Sequence, residues 1–505
     1  NLRHTAGLIP IYPETRGITS RALRFLIKPL ISEATKLPDI LPEELRSRLG
    51  ILEFKTAIKE IHFPNSLKLA EASKKRFAFE ELFLFQLLLF SQKRKMRRLP
   101  SLPIEPDIEL VKKIIATLPF ELTHDQKRAA WEIMKDMAKP SPMNRLLDGD
   151  VGSGKTIVAA ISALQVLSKN YQVALMAPTE ILSRQHFEKI SKILEPFGAK
   201  IALLVSKEAK ICEDGLSAKT NRQNLLEKLK NGDPYLVIGT HALIQKEVSF
   251  GNLALVIIDE QHRFGVKQRA HLTRGKTIPH LLSMTATPIP RTLALALYGD
   301  LDISLLKELP KGRKNIITKV IPPAKRNEAY DFIRAQVNKG RQAFIICPRI
   351  EAQNKTYEEY LLLDTRAVKE EYQRLSKEVF SELKLGMLHG KMKSYEKEKI
   401  MSDFAENKIQ ILVSTSVVEV GIDVPNATVM LIEGAENFGL AQLHQFRGRV
   451  GRGKHQSYCL LFTDSPAKAV KSRLEAFSQV NDGFVLAEED LKIRGPGEIF
   501  GVRQS

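Results

Sequence analysis

Short apolar runs alternate with helix-like segments from residue 120 onward, and each run is bounded by glycine, proline or a polar residue. The runs are NRLLDGD, VALMAPT, YLVIGT, LALVIIDE and HLLSMTAT, followed by AFIICPR, ILVSTS, VMLIEG and SYCLLFT. Continuous apolar strands that alternate with helices are typical of a parallel sheet covered on both faces. The series divides at the charged, turn-rich segment 308–318. The sequence therefore predicts an α/β fold with two lobes of similar size, residues 119–310 and 311–464.

The first 118 residues have a different, mainly helical pattern. Their most apolar stretch, FAFEELFLFQLLLF (77–90), contains two glutamates and a glutamine. It is too short and too polar to match the ~18 uninterrupted apolar residues of a membrane span. We predict a helix that is largely buried in a core. The basic run KRKMRR (93–98) follows, and either a solvated helix end or a nucleic-acid contact explains it.

The charge balance favours a polyanionic partner. The formal net charge is +19, with a pI of about 9.6. Nucleic acid is the leading interpretation, ahead of an anionic membrane surface or a simple solubility effect.

The cysteines are few, widely separated and without a CxxC pair, namely Cys212, Cys347 and Cys459. This pattern argues against a disulfide framework or zinc site, and with no signal-peptide pattern it predicts a cytoplasmic location.

A phosphate-binding loop is the most specific chemical motif in the chain. An apolar strand precedes it, a helical stretch follows it, and its residues fit the pattern G-x-x-x-x-G-K-[ST]: Gly149, Asp150, Val151, Gly152, Ser153, Gly154, Lys155 and Thr156. Such a loop turns backbone N–H groups toward phosphate oxygens at a helix N-terminus. Lys155 is expected to reach the β- and γ-phosphates of ATP, and Thr156 to bind Mg²⁺. The alternative is a glycine-rich turn with an accidental lysine.

A carboxylate pair supplies the second half of the predicted site. The predicted strand LALVIIDE ends in Asp259 and Glu260, at the sheet edge where open α/β folds bind ligands. Asp259 is expected to hold Mg²⁺ and its water shell, and Glu260 to orient and polarise the attacking water. The alternative is an acidic pair that caps the next helix.

The segment before the phosphate-binding loop offers an adenine site. Phe120 could supply an aromatic face and Gln126 an amide that pairs with one base edge, which would favour ATP over GTP. The alternative interpretation is a helix start that is N-capped by Thr123.

Further motifs resemble the DExH-type helicases of superfamily 2. APTEIL (177–182), GTHAL (239–243), DEQH (259–262) and SMTATP (283–288) are similar to motifs Ia, Ib, II and III. In the second lobe, STS (414–416) with VGIDVP (420–425) resembles motif V, and QFRGRVGR (445–452) resembles motif VI. The resemblance implies two tandem RecA-like lobes that share one ATP site, to which Gly421 and Asp423 of motif V contribute.

Motif VI also has a direct chemical interpretation. Arg449 and Arg452 are three residues apart, so on a helix they would share one face. Guanidinium groups that reach a γ-phosphate across a cleft stabilise transition-state charge as arginine fingers. Gln445, in the same motif, is also predicted to be a catalytic residue. The alternative for the arginines is a surface basic pair or a phosphate-backbone contact.

The narrower resemblance is to the RecG family of DNA translocases. GDVGSGKT, DEQHRFGVKQR, SMTATPIPRTLALALYGDLDIS, HGKMKSYEKEKIM and GLAQLHQFRGRVGRG are similar to that family, as are PIYPETRGIT and EIHFPNS. The tail 465–505 resembles the family's helical-hairpin translocation motif, in truncated form. The family's N-terminal wedge, an OB-fold, is not found in the sequence.

The resemblance also implies functional roles. DNA-backbone contacts are implied for Pro178, Thr179, Thr240 and Thr415, and a place in the coupling hairpin for Arg494 and Gln504. Turn and capping roles are the alternative for Pro and Thr. The expected protein is a monomeric, ATP- and Mg²⁺-dependent DNA translocase that remodels replication forks and Holliday junctions, with single-stranded DNA-binding protein as a possible partner. A coupling-factor-like translocase that pushes a polymerase and a nucleotide-gated binding module are the competing hypotheses.

Overall fold

The computed structural model describes residues 8–15, 17–206, 208–260, 277–286, 301–310, 314–348, 367–415 and 424–494. Described residues up to Lys95 form one compact unit, and those from Met96 onward form a second. The described residues of the first unit form four helices: α1 (Ser20–Ala34), α2 (Glu43–Leu49), α3 (Phe54–His62) and α4 (Leu67–Met96). None of the described helices is both long enough and apolar enough to cross a membrane.

The apolar helix α4 corrects one prediction. Its range 77–90 is helical, but the side chains that were expected to be buried are mostly exposed: Leu82, Leu84, Leu87, Leu88 and Phe90. Within this unit, α1 to α3 are short beside a helix of 30 residues, which is about 45 Å long. Three short helices cannot cover such a cylinder, and the two fully buried positions described on α4 are taken by polar residues, Ser73 and Arg76.

The first lobe is a nine-stranded sheet that carries the phosphate-binding loop. Its elements begin with α5 (Ile108–Thr117), α6 (His124–Met137), β1 (Asn144–Gly149), α7 (Lys155–Leu167), β2 (Gln172–Met176), α8 (Glu180–Leu194), β3 (Lys200–Leu204), β4 (Ala209–Glu213) and β5 (Leu216–Lys219). They continue with α9 (Arg222–Asn231), β6 (Tyr235–Gly239), β7 (Leu253–Asp259), β8 (His280–Thr285) and β9 (Asp302–Leu306). The strand order is β5-β4-β3-β6-β2-β7-β8-β1-β9, parallel except for the antiparallel pairs β3–β4 and β4–β5.

The second lobe has a six-stranded, wholly parallel sheet in the order β10-β15-β14-β11-β13-β12. Its elements are β10 (Ile317–Ile321), α10 (Arg326–Asn338), β11 (Gln342–Ile346), β12 (Leu385–Leu388), α11 (Ser394–Ala405), β13 (Ile411–Ser414), β14 (Ala427–Ile432), α12 (Leu440–Arg447) and β15 (Tyr458–Phe462). Two further helices, α13 (Lys468–Gln479) and α14 (Gly483–Arg494), follow it.

The central strands of both sheets are largely apolar and buried, as strands covered on both faces must be. In β2, β6 and β14 every residue is buried. Helix α7 lies against the first sheet with eleven consecutive buried residues, 157–167. The predicted α/β fold with two lobes is therefore confirmed, and the antiparallel extension β4–β5 is an addition that the sequence pattern did not indicate.

Candidate nucleotide site and nucleic-acid interface

The phosphate-binding loop joins the end of β1 to the start of α7. Gly152 (φ 80°) and Gly154 (φ 86°) lie in the left-handed region that favours glycine. A Cβ on Gly149 would come within 2.6 Å of the Ser153 hydroxyl, so the close approach of the chain also requires glycine there. Gly154 precedes α7, and no side chain in the described residues caps this helix N-terminus. Its N–H groups are therefore directed into the loop, which is the arrangement that binds phosphate.

Lys155 folds back over this loop. Its ammonium group donates hydrogen bonds to the carbonyl oxygens of Gly149 (2.6 Å) and Asp150 (2.9 Å). Burial lowers the pKa of Lys155, although the nearby Glu260 and Asp259 carboxylates act in the opposite direction. The Lys155 ammonium group thus lies close to both the phosphate-binding loop and the carboxylates of Asp259 and Glu260.

Asp259 ends β7 at the same edge of the sheet. In the parallel sheet, Asp259 pairs with Met284 of β8, and Met284 pairs with Leu147 of β1. The Asp259 Oδ2 atom lies 2.8 Å from the Nε2 atom of His186 on α8. Burial alone would raise the pKa of Asp259, but hydrogen bonding to His186 and the charge of Lys155 lower it below its ordinary value. Asp259 is therefore ionised at neutral pH.

Glu260 differs from its neighbour in both backbone and charge. Its φ of 56° is left-handed, which is strained for a non-glycine residue and is often found at functional sites. Burial, followed by the charge of Asp259, raises the pKa of Glu260, while Lys155 and Arg449 act against this rise. Two adjacent carboxyl groups with pKa values shifted in opposite directions are typical of a site with distinct metal-binding and proton-accepting roles.

The donor set fits a magnesium ion. Mg²⁺ prefers hard oxygen ligands and usually keeps several of its waters. Thr156 offers a hydroxyl in the first turn of α7, and ionised Asp259 offers a carboxylate. Thr156 and Asp259 are therefore the residues that would hold the ion.

The predicted adenine residues occupy different environments. Gln126 is buried, and its amide accepts from the Thr123 N–H (2.9 Å) and donates to the Ser153 carbonyl (2.8 Å). Together with the Thr123 hydroxyl it forms a capping box at the start of α6. Phe120 is 47% exposed. Gln126 therefore ties α6 to the phosphate-binding loop, and its adenine role stays a prediction.

Motif VI does not place its arginines on a helix. Helix α12 contains Gln445 and ends at Arg447, with Gly448 as its C-cap. Arg449 lies in the turn that follows, and Arg452 lies in the irregular segment after that turn. Arg449 is buried, and its charge lowers the pKa of Glu260 in the first lobe. The Nε atom of Arg452 donates to the Gly448 carbonyl. The helix-face premise was therefore wrong, although Arg449 does lie near the carboxylate pair.

The two lobes meet directly at the phosphate-binding loop. The His444 Nε2 atom lies 2.6 Å from Oδ1 of Asp150, and a Cβ on Gly448 would come within 2.8 Å of the Val151 Cβ. Arg447 Nη2 lies 2.8 Å from His444 Nδ1, and since arginine can only donate, Nδ1 must accept. The His444 proton is therefore on Nε2 and is donated to Asp150. Neither His186 nor His444 is predicted as a site residue from the sequence, because no motif spacing assigns a role to either histidine.

The predicted DNA contacts are spread over both lobes. Pro178 and Thr179 are half-buried, and the Thr179 hydroxyl caps α8 by accepting from the Leu182 N–H. Thr240 and Thr415 are buried. Arg494 is the last residue of α14, and its side chain lies outside the described residues, as do Gly421, Asp423 and Gln504. The DNA-contacting roles of these residues stay predictions.

The fold and the site together define a two-lobed P-loop protein of the helicase type. The DEAD/DEAH box helicase family model matches residues 123–295, and the helicase conserved C-terminal domain matches residues 324–454. The chain is 46% identical to ATP-dependent DNA helicase RecG of Synechocystis sp. over 99% of its length and 58% of that protein. It is 43% identical to RecG of Bacillus subtilis, over 98% of this chain and 71% of the relative.

The chain belongs to the RecG family of ATP-dependent DNA helicases. A solved structure of RecG bound to a three-way DNA junction is similar, with a TM-score of 0.80 and 42% identity over 97% of this chain and 63% of that chain. The chain thus spans about three fifths of the length of several RecG proteins that it matches. The family and fold predictions are confirmed.

Proposed function

We propose that this protein is an ATP-dependent DNA translocase that remodels branched DNA. The observation that carries the proposal is the convergence of three groups on one site. Lys155 and the carboxylates of Asp259 and Glu260 come from the first lobe, and Arg449 of the second lobe lies close enough to influence Glu260. An ATP site completed from both lobes couples hydrolysis to movement between them.

Each of these residues has a defined part in hydrolysis. The phosphate-binding loop and Lys155 bind and orient the phosphates, and Thr156 and Asp259 would hold Mg²⁺, which when bound neutralises charge on the β- and γ-phosphate oxygens. Glu260 accepts a proton from the attacking water, a role that suits a buried carboxylate with a raised pKa. Arg449 stabilises the charge that develops on the transferred phosphoryl group. Arg452 and Gln445 belong to the same segment and are proposed to support that role.

The proposed coupling mechanism depends on the interlobe contact. Asp150 and Val151 of the phosphate-binding loop touch His444 and Gly448 of the second lobe. A change in the loop during hydrolysis therefore acts directly on α12 and the turn after it. DNA contacts on both lobes, at Pro178, Thr179, Thr240 and Thr415, would convert this movement into steps, with Arg494 and Gln504 in the coupling hairpin.

Branched DNA is the proposed substrate for two reasons. The net charge of +19 favours a polyanion, and the RecG structure that resembles this chain is bound to a three-way DNA junction. Replication forks and Holliday junctions are the biological forms of such DNA. A monomeric motor, a cytoplasmic location and interaction with single-stranded DNA-binding protein are parts of the same proposal.

The test is steady-state ATP turnover with no DNA, linear duplex, single strand and a four-way junction. We expect strong stimulation that is highest with the junction and is abolished in Lys155→Ala. The measurements should be made at several salt concentrations, because phosphate contacts release counterions and make affinity salt-dependent. Turnover that no DNA stimulates would contradict the proposed function, and equal stimulation by linear duplex would contradict branch preference.

A further inference from the structure

His186 connects the catalytic carboxylate to the predicted DNA-contacting end of α8. This histidine is 7% exposed, and its Nε2 atom lies 2.8 Å from Oδ2 of Asp259. A ring nitrogen and a carboxylate oxygen this close share one hydrogen, and a carboxylate that serves as a metal ligand can only accept, so Nε2 donates it. One carboxylate oxygen is thus fixed by the ring, and the orientation of the whole carboxylate is restricted with it.

The same face of α8 begins at a predicted DNA contact. Thr179, Ser183 and His186 are spaced four and three residues apart, so they lie in line on the helix. Thr179 caps the helix, and the Ser183 hydroxyl donates to the Thr179 carbonyl at 3.1 Å. His186 lies seven residues beyond Thr179, which is about 10 Å along a rigid helix. Displacement of the capped end therefore moves the Nε2 atom by a similar amount.

The start of α8 also meets the second lobe. Ile181 packs against the apolar core of that lobe. Burial raises the pKa of Glu398 on α11, and the nearby Glu180 carboxylate raises it further. Helix α8 is thus in contact with the second lobe at its first turn and with Asp259 two turns later.

We propose that His186 is a positioning residue that holds Asp259 in its metal-binding rotamer and transmits movement of the first turn of α8 to it. DNA engagement and Mg²⁺ affinity are then coupled through one hydrogen bond. The expected coupling to DNA binding rests on the proposed function. The expected effect on Mg²⁺ affinity rests only on the His186–Asp259 contact. Hydrogen-bond partners of metal ligands typically alter metal affinity by about 10–100-fold when they are removed.

The experiment compares the wild type with His186→Ala and His186→Gln. Binding of a fluorescent ATP analogue is measured during a Mg²⁺ titration, first without DNA and then with a four-way junction. For His186→Ala without DNA, we expect the half-saturating Mg²⁺ concentration to rise about 10–100-fold. His186→Gln should recover most of the affinity, because its amide can still donate to Asp259. DNA should lower the half-saturating concentration in the wild type but not in His186→Ala.

A second buried histidine provides the matched control. His280 is fully buried, accepts from the Met143 N–H and lies within hydrogen-bond distance of the Leu102 carbonyl. It pairs with Leu255, four residues before Asp259 on β7, which puts it about 13 Å along the strand from the carboxylate. His280→Ala should lower thermal stability and leave the Mg²⁺ titration unchanged, which separates loss of a buried ring from loss of positioning.

A double-mutant cycle with Asp259→Asn completes the test. If His186 acts through Asp259, His186→Ala should have no further effect on Mg²⁺ dependence in the Asp259→Asn background. A His186→Ala variant with wild-type Mg²⁺ dependence, or a His186→Gln variant as defective as His186→Ala, would overturn the inference. An absence of DNA stimulation in the wild type would instead contradict the proposed function, and the DNA-free titration would still decide the role of His186.

Discussion

At the scale of single residues, the site is organised by shifts in protonation that burial and neighbouring charges produce. Asp259 and Glu260 are adjacent, yet the pKa of the first is lowered and that of the second is raised. The difference arises because His186 and Lys155 stabilise the Asp259 charge, whereas Glu260 is buried beside a carboxylate that is already ionised. The two carboxyl groups therefore differ in charge state, which supports the separate roles that are proposed for them.

Replacing Glu260 tests the proton-accepting role. Glu260→Gln should lower the maximal rate of ATP turnover by about 10²–10⁴-fold, the usual contribution of a general base. DNA binding should be largely intact, because this change leaves the predicted DNA contacts untouched. Turnover is measured at saturating ATP and DNA binding by fluorescence anisotropy. Glu227→Gln, which alters an exposed carboxylate on α9, is the control. Turnover that survives Glu260→Gln would remove the assignment.

A second buried carboxyl group, in the second lobe, should make stability depend on pH. Burial raises the pKa of Glu433 to about 7, with a further contribution from Glu371. The folded state then binds this proton more tightly than the unfolded state, so the stabilisation is complete below the unfolded pKa and is lost as pH rises through 7. A pKa shift of this size corresponds to about 3 kcal/mol.

Glu433→Gln tests this expectation. The free energy of unfolding of the wild type should fall between about pH 4.5 and about pH 8, and the variant should show a flatter profile over the same range. Chemical denaturation followed by circular dichroism measures both profiles. The same pH dependence in both proteins would show that Glu433 is not the titrating group.

At the scale of elements, ionic contacts compensate for incomplete apolar burial in the helical unit. Helix α4 leaves much of its apolar surface exposed, and the fully buried Arg76 pairs with Asp39 (2.7 Å) and Glu80. Asp39 also accepts from the Leu41 and Phe54 N–H groups, so it links the start of α3 to α4. A single carboxylate thus organises several elements of the unit.

Removal of Asp39 should therefore destabilise this unit strongly. Asp39→Ala leaves a buried guanidinium with one fewer partner, and breaking such pairs typically costs about 3–5 kcal/mol. Amide hydrogen exchange in α3 and α4 should accelerate accordingly. Glu33→Ala is the matched control, because the Glu33–Lys36 pair is exposed and contributes little. Equal exchange in both variants would contradict the organising role of Asp39.

At the scale of the whole molecule, one set of described contacts between the two lobes lies at the phosphate-binding loop. His444 donates to Asp150, while Arg447 stacks on Phe477 of α13 with 4.3 Å between the guanidinium and the ring centroid. Gly448 approaches Val151 so closely that a side chain on it would collide with the loop. The loop, α12 and α13 therefore form a continuous set of contacts.

Gly448→Ala tests whether this approach is needed for catalysis. The added Cβ would lie 2.8 Å from the Val151 Cβ, so the lobes must separate to accommodate it. We expect ATP turnover to fall at least about tenfold, because loss of one transition-state contact such as that of Arg449 has a large effect. Binding of ATP to the first lobe should change little. Turnover is compared with nucleotide affinity, and unchanged turnover would show that close approach is not required.

The sequence by itself determined the α/β class, the two lobes, the phosphate-binding loop and the carboxylate pair. These features depend on local order: strand and helix periodicity, glycines at fixed offsets, and a strand that ends in acidic residues. The exposure of α4 was not predictable in this way, because an apolar run does not specify how much neighbouring structure is present to cover it. The position of Arg449 and Arg452 outside the helix depended on where α12 ends, at Arg447.

Only the tertiary structure decided the contacts that connect these motifs. His186 and Asp259 are 73 positions apart, and Asp150 and His444 are 294 apart. Each histidine looks like an ordinary helical residue in the sequence, and its partner is set by the packing of α8 and α12 against the first lobe. Local spacing determines which groups can do chemistry. The packing of sheets, helices and lobes determines which of those groups meet.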